Sequence, residues 1–159
     1  MLLGSIDLLQ QDPLEFLRLL MMVAISLTIA ITVHEFSHAF TAHRLGDDTA
    51  KRLGRVSLNP MVHLDPMGTL LLFLVGFGWG KPVPVNPLYL RHPAKWSMAA
   101  VSFSGAFANI ITAAFVGLLT RFTLNAWPDV LIELLKYVVV LNLVLAFFNL
   151  IPVPPLDGS

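Results

Sequence analysis

Three stretches of this chain are longer and more apolar than a soluble domain can bury. They run from about Leu14 to Leu45, from about Lys95 to Thr120 and from about Asp129 to Leu150. A helix needs roughly 20 apolar residues to cross a bilayer, and backbone groups in hydrocarbon must be satisfied within the segment itself. The expected fold class is therefore an all-α membrane protein with three transmembrane helices. Composition agrees: 56% of residues are hydrophobic and 13% charged, where soluble domains carry about 25% charge. The formal net charge is zero, so nothing points to nucleic acid. The absence of cysteine excludes disulfides and thiolate metal sites.

Local signals set the limits of the first span. Asp12-Pro13 is a helix start with Pro at the first helical position, and Gly46 is a stop. The opening MLLGSIDLLQQDPLEF has neither the basic start nor the cleavage site of a signal peptide, so the first span is expected to be retained. A fourth apolar run, Gly68–Gly80, is too short and glycine-rich to span. It is expected to be re-entrant or interfacial, with protein satisfying its backbone. Seven of the ten Lys and Arg lie from Arg44 to Lys95. The positive-inside rule then puts the 46–95 loop and the C-terminus in the cytoplasm and the N-terminus outside. In that loop KPVPVNP is extended, because proline restricts itself and its predecessor, and Pro82 and Pro84 suit an edge strand.

Ionisable residues inside a span are costly and functional by default. The second span has none between Lys95 and Arg121, whereas the first carries His34, Glu35 and His38. His34 and His38 are four apart, so they share one helix face, about 40° apart. Two imidazoles at that spacing can hold one zinc ion, with Glu35 beside them as a base: the H-E-x-x-H arrangement. The plain alternative is a polar packing network without metal. A catalytic zinc also needs a third protein ligand and an open position. His43 lies about 140° off the ligand face, and His92 reads as solvated loop. His63 and Asp65 sit in the loop, and Asp157 follows a proline-rich exit from the third span. His34 is about 15 Å from the inner edge, and a chain that has left its helix can fold back that far. Geometry favours Asp157, with His63 next, while a plain Asp-Gly turn stays equally open for Asp157.

HEFSH at 34–38, LNPMVHLDPMG at 58–68, GKPVPVNP at 80–87, SGAFAN at 104–109 and FNLIPVPPLDG at 148–158 together resemble the site-2 protease family of intramembrane zinc metalloproteases. The resemblance spans most of the chain, in a compact form without a PDZ module. It implies one zinc ion on His34, His38 and Asp157, with Glu35 as catalytic base. It also implies endoproteolysis within or near transmembrane segments of substrate proteins in the lipid bilayer. The compact, cysteine-free design points to a prokaryotic cell membrane. Asn149 matches a family asparagine that handles the substrate backbone; a helix C-cap or a bond to a freed carbonyl is equally open. Asn109 closes a segment of small residues that reads first as close helix packing. KPVPVNP is either a strand that pairs with substrate or a rigid surface loop.

The family has Pro where this chain has Ala106, and it continues with further helix after the LDG motif. Residues 1–159 therefore read as a single transmembrane protease core that is truncated, or completed by a partner chain or oligomer. Two further function classes compete: a membrane zinc transporter, against which the uncharged second span argues, and an inactive homologue that binds membrane helices.

Overall fold

The structure is a computed structural model that describes residues 10–75, 78–91, 94–124, 126–152 and 157. The described residues form five α-helices: α1 (Pro13–Arg44), α2 (Thr49–Arg52), α3 (Pro66–Val75), α4 (Ala94–Thr123) and α5 (Asp129–Asn149). Helices α1, α4 and α5 are long and apolar enough to cross a membrane, and each packs on the other two. At 1.5 Å per residue α5 is about 31 Å long, the hydrocarbon thickness of a bilayer. The 32 residues of α1 reach about 48 Å, well beyond it.

The ends of α1 follow from local chemistry. Asp12 is the N-cap, its carboxylate accepting from the Glu15 amide at 3.0 Å, and Pro13 opens the first turn. At the other end Gly46 takes φ +110°, and a Cβ there would sit 2.6 Å from Arg91 Cγ. The helix stop is thus also a close approach, held by the Arg91 amide on the Leu45 carbonyl at 2.9 Å.

Packing in the bundle is inverted relative to a soluble protein. Ala30, Ala39 and Ala146 are fully buried, while Phe107, Phe115, Phe122 and Phe147 face outward. Helices in lipid gain nothing by hiding large apolar groups from each other's surroundings. They associate through small residues that let backbones approach. One ion pair joins Arg18 of α1 to Glu133 of α5, and Arg18 also bonds Glu15 at 3.2 Å. The N-terminal ends of α1 and α5 therefore share one end of the bundle, with α4 antiparallel to both.

The 45–91 connection is pinned, not a linker. Asn59 and Asn86 each precede a proline and a short 3₁₀ turn, Pro60–Val62 and Pro87–Tyr89. Each side chain accepts from the amide two residues on, at 3.0 Å. Asp47 is wholly buried and accepts from the Asn86 and Thr49 amides. Burial pushes its carboxyl up, but these bonds and that from the Thr49 hydroxyl outweigh it and hold the group below its ordinary value.

In the fourth apolar run, α3 starts on an Asp65 cap that accepts from the Gly68 amide at 2.8 Å. Its start and end meet: a Cβ at Gly68 would strike the Trp79 carbonyl, and Leu64 bridges antiparallel to Gly80. Residues 81–86 differ from the edge-strand expectation. Among the described residues they form no ladder, because Pro82 and Pro84 remove alternate donors.

Candidate metal centre

The i, i+4 spacing on α1 sets His34 and His38 edge to face, with ring centroids 4.6 Å apart. Both are buried. Asp157 lies beyond the end of α5 in sequence, and its carboxylate meets both rings. Its Oδ2 lies 2.7 Å from His34 Nε2 and 2.9 Å from His38 Nε2. These three side chains form a group whose ligand atoms fit around one metal ion.

The surroundings test whether an ion fits. His38 Nδ1–H donates to the Val101 carbonyl of α4 at 2.7 Å, which leaves Nε2 with a lone pair. Ser104 donates to the same carbonyl at 2.6 Å. His38 Nε2 and a carboxylate oxygen then converge as acceptors with His34 Nε2 beside them, and a cation is what such a set accommodates. The N, N, O set at a buried position is one that zinc takes. Room for it comes from Gly105 of α4, whose missing Cβ would lie 2.6 Å from His38 Nε2 and 2.7 Å from His34 Nε2.

Glu35 is half-buried beside the pair, on the side facing Gly80, where a Cβ would lie 3.7 Å from its Oε1. That glycine is fixed in place. The Lys81 amide donates to the His63 carbonyl at 2.7 Å, and buried Arg55 donates through Nη2 to the carbonyls of Lys81 and Pro82.

The other candidate ligands have other partners. His63 is fully buried and donates through Nε2 to the Ser57 carbonyl at 2.7 Å. Burial pushes its pKa down, the Ser57 bond opposes this, and the Arg55 charge adds to the depression. Asp65 caps α3. His43 pairs with Asp48 at 2.6 Å and accepts from Lys51. His92 lies outside the described residues.

Asn149 donates to the Leu145 carbonyl of its own helix at 3.0 Å, the helix-end partner that its position allowed. Asn109 is fully buried and donates to the Ala30 carbonyl of α1 at 3.3 Å. Sequence reasoning missed Val101, Ser104, Gly105 and Arg55 as neighbours of the centre. The first three lie in a stretch legible as close packing. Arg55 is one of several loop bases, and no local signal singles it out.

Apolar spans around two buried histidines and a half-buried aspartate that could hold a metal define a membrane metalloprotein. No protein-family model and no solved structure matches the chain. It is 40% identical over 150 residues to the "Putative zinc metalloprotease YwhC" of Bacillus subtilis (strain 168), covering 89% of this chain and 68% of that protein. Two proteins named in the same terms, both Rip2, are 31% identical in Mycolicibacterium smegmatis and 30% in Mycobacterium tuberculosis (strain Erdman). Each match covers 92% of this chain but 58% of the relative, so the chain spans less than two thirds of those proteins. The chain belongs to the zinc metalloprotease family of YwhC.

Proposed function

We propose that this chain is the core of a zinc-dependent intramembrane endopeptidase of the site-2 protease type. It would cut peptide bonds within or near transmembrane segments of protein substrates. The observation that carries this is the meeting of His34, His38 and Asp157 around one point, with Glu35 alongside, on a helix long enough to span. Bacterial relatives named as zinc metalloproteases support zinc as the metal and a bacterial membrane as the setting.

His34 and His38 would hold the ion through Nε2, and Asp157 through a carboxylate oxygen. Val101 keeps the His38 proton on Nδ1. Zinc held there would supply Lewis acidity towards a peptide carbonyl and would make a water more acidic. Glu35 takes the proton of the attacking water and returns it to the leaving amine. A substrate helix shields its own peptide bonds, so it must unwind before it is cut. Residues 81–86, fastened next to Glu35 and outside any ladder among the described residues, suit it as a partner for an added strand. The meeting ends of the fourth apolar run support a re-entrant element beside the site. The basic 46–95 loop supports a cytoplasmic placement for it, with the N-terminus outside. Between Lys95 and Arg121, α4 carries no ionisable residue to line a zinc path, which counts against transport.

Glu35→Gln tests the mechanism. Cleavage of a membrane-anchored substrate by the purified protein falls by a factor of about 10²–10⁴, while bound zinc stays at the wild-type level. Undiminished cleavage would sink the assignment of Glu35 as base.

A further inference from the structure

Helices α1 and α4 meet along a seam with a four-residue repeat. His38 bonds Val101, and Ala30 bonds Asn109. Midway between, Gly105 faces His34. As one helix descends by four the other ascends by four. The next pairs in that register, Ala42 with Ser97 and Ser26 with Ala113, are buried as well. Every position on the α4 side of this seam carries a small or modest side chain, and one carries none.

That position is where the imidazoles need the space. A Cβ at Gly105 would lie 2.6 Å from His38 Nε2 and 2.7 Å from both Nε2 and Cε1 of His34. Carbon does not approach nitrogen so closely without something moving. The neighbours cannot move freely. His38 is tied to Val101 on one side of the contact, and Asn109 is tied to Ala30 on the other. The helices are thus held together a turn to each side of Gly105, and a side chain there would have to displace the rings.

We propose that Gly105 is a positioning residue of the metal centre: its lack of a side chain lets both imidazole Nε2 atoms face Asp157 while α1 and α4 keep their close register. The proposal rests on His34, His38 and Asp157 being the ligands. Gly117, on the same helix, is the internal control, since a Cβ there meets only Val139 Cγ2 at 3.7 Å, an ordinary contact.

The test is metal binding by the purified chain in detergent. Zinc affinity and the d–d absorption of the cobalt-substituted protein are measured for Gly105→Ala, Gly117→Ala and Asp157→Ala. Gly105→Ala is expected to lose zinc affinity by roughly 10–100-fold, the range for a disturbed outer shell, with an altered cobalt spectrum. Gly117→Ala keeps both. Wild-type zinc affinity and cobalt spectrum in Gly105→Ala, with metal lost from Asp157→Ala, would overturn the proposal and leave the ligand assignment standing. Undiminished zinc in Asp157→Ala would remove the ligand assignment and the proposal with it.

A second measurement holds even if Gly105→Ala folds poorly. In metal-free protein, Gly105→Ala lowers the unfolding temperature, but not when His34 and His38 are both alanine. Equal losses in the two backgrounds would overturn the steric relation.

Discussion

At the scale of single residues, burial separates histidines that sequence alone treats alike. His63 lies in a run of motif-like residues and competed with Asp157 for the third ligand position. In the structure it is fully buried, bonds the Ser57 carbonyl, and stands outside the His34, His38 and Asp157 group. It is a neutral pillar under the Gly80–Lys81 backbone. Its depressed pKa has a consequence with a definite sign. The unfolded chain takes up a proton near the ordinary imidazole value of about 6.5, while the folded chain resists until lower pH. Stability from neutral His63 is therefore present above about 6.5 and lost as pH falls below it. Thermal unfolding of wild type should show this acid-side slope. His63→Leu should remove it, lower stability by about 1–3 kcal/mol through the unpaired Ser57 carbonyl, and leave bound zinc unchanged.

At the scale of elements, the long loop behaves as a built part because a few buried polar side chains replace a hydrophobic core. Arg55 is the clearest case: a guanidinium 5% exposed, spent on two backbone carbonyls of a segment that cannot form a ladder. Arg55→Met should raise amide exchange across residues 81–86 and lower stability by about 1.5–3 kcal/mol, the range for hydrogen bonds to a charged group. Arg55→Lys should restore part of both, since a single nitrogen, Nη2, makes the two bonds and an ammonium also carries several donors. Unchanged exchange in Arg55→Met would show that the prolines alone hold the segment. Helix limits, by contrast, were readable to within a few residues. Asp12-Pro13, Gly46 and the hydrophobic runs act locally, so the expected spans at 14–45, 95–120 and 129–150 match α1, α4 and α5 closely. Residues 81–86 form no ladder among the described residues, because Pro82 and Pro84 remove alternate donors.

At the scale of the whole molecule, the inside-out distribution of side-chain size reverses the usual rule for mutations. Phe107 is 63% exposed and Ala146 fully buried. Phe107→Ala should leave bundle stability in detergent within about 0.5 kcal/mol, as for a surface change. Ala146→Leu should lower it by about 1–3 kcal/mol through overpacking. Measured unfolding with the opposite ranking would mean that the bundle does not sit in lipid as its surface suggests. The same close packing serves the chemistry, because it carries the α4 backbone to the imidazole pair.

The sequence by itself determined the number and limits of the spans, the shared face of His34 and His38, and Glu35 beside them. Each follows from hydrophobicity and helical period, which act within one element. Spacing alone left Asp157 balanced against a turn, with the family resemblance favouring it as a ligand, and left Asn149 balanced against a helix end. Only the tertiary structure brought Asp157 Oδ2 to both rings, withdrew His63 to Ser57, and laid Gly105 against the ligand nitrogens. The reason is distance along the chain: more than a hundred residues separate Asp157 from His34. No periodicity reports a contact of that span, which only the packing of α1, α4 and α5 decides.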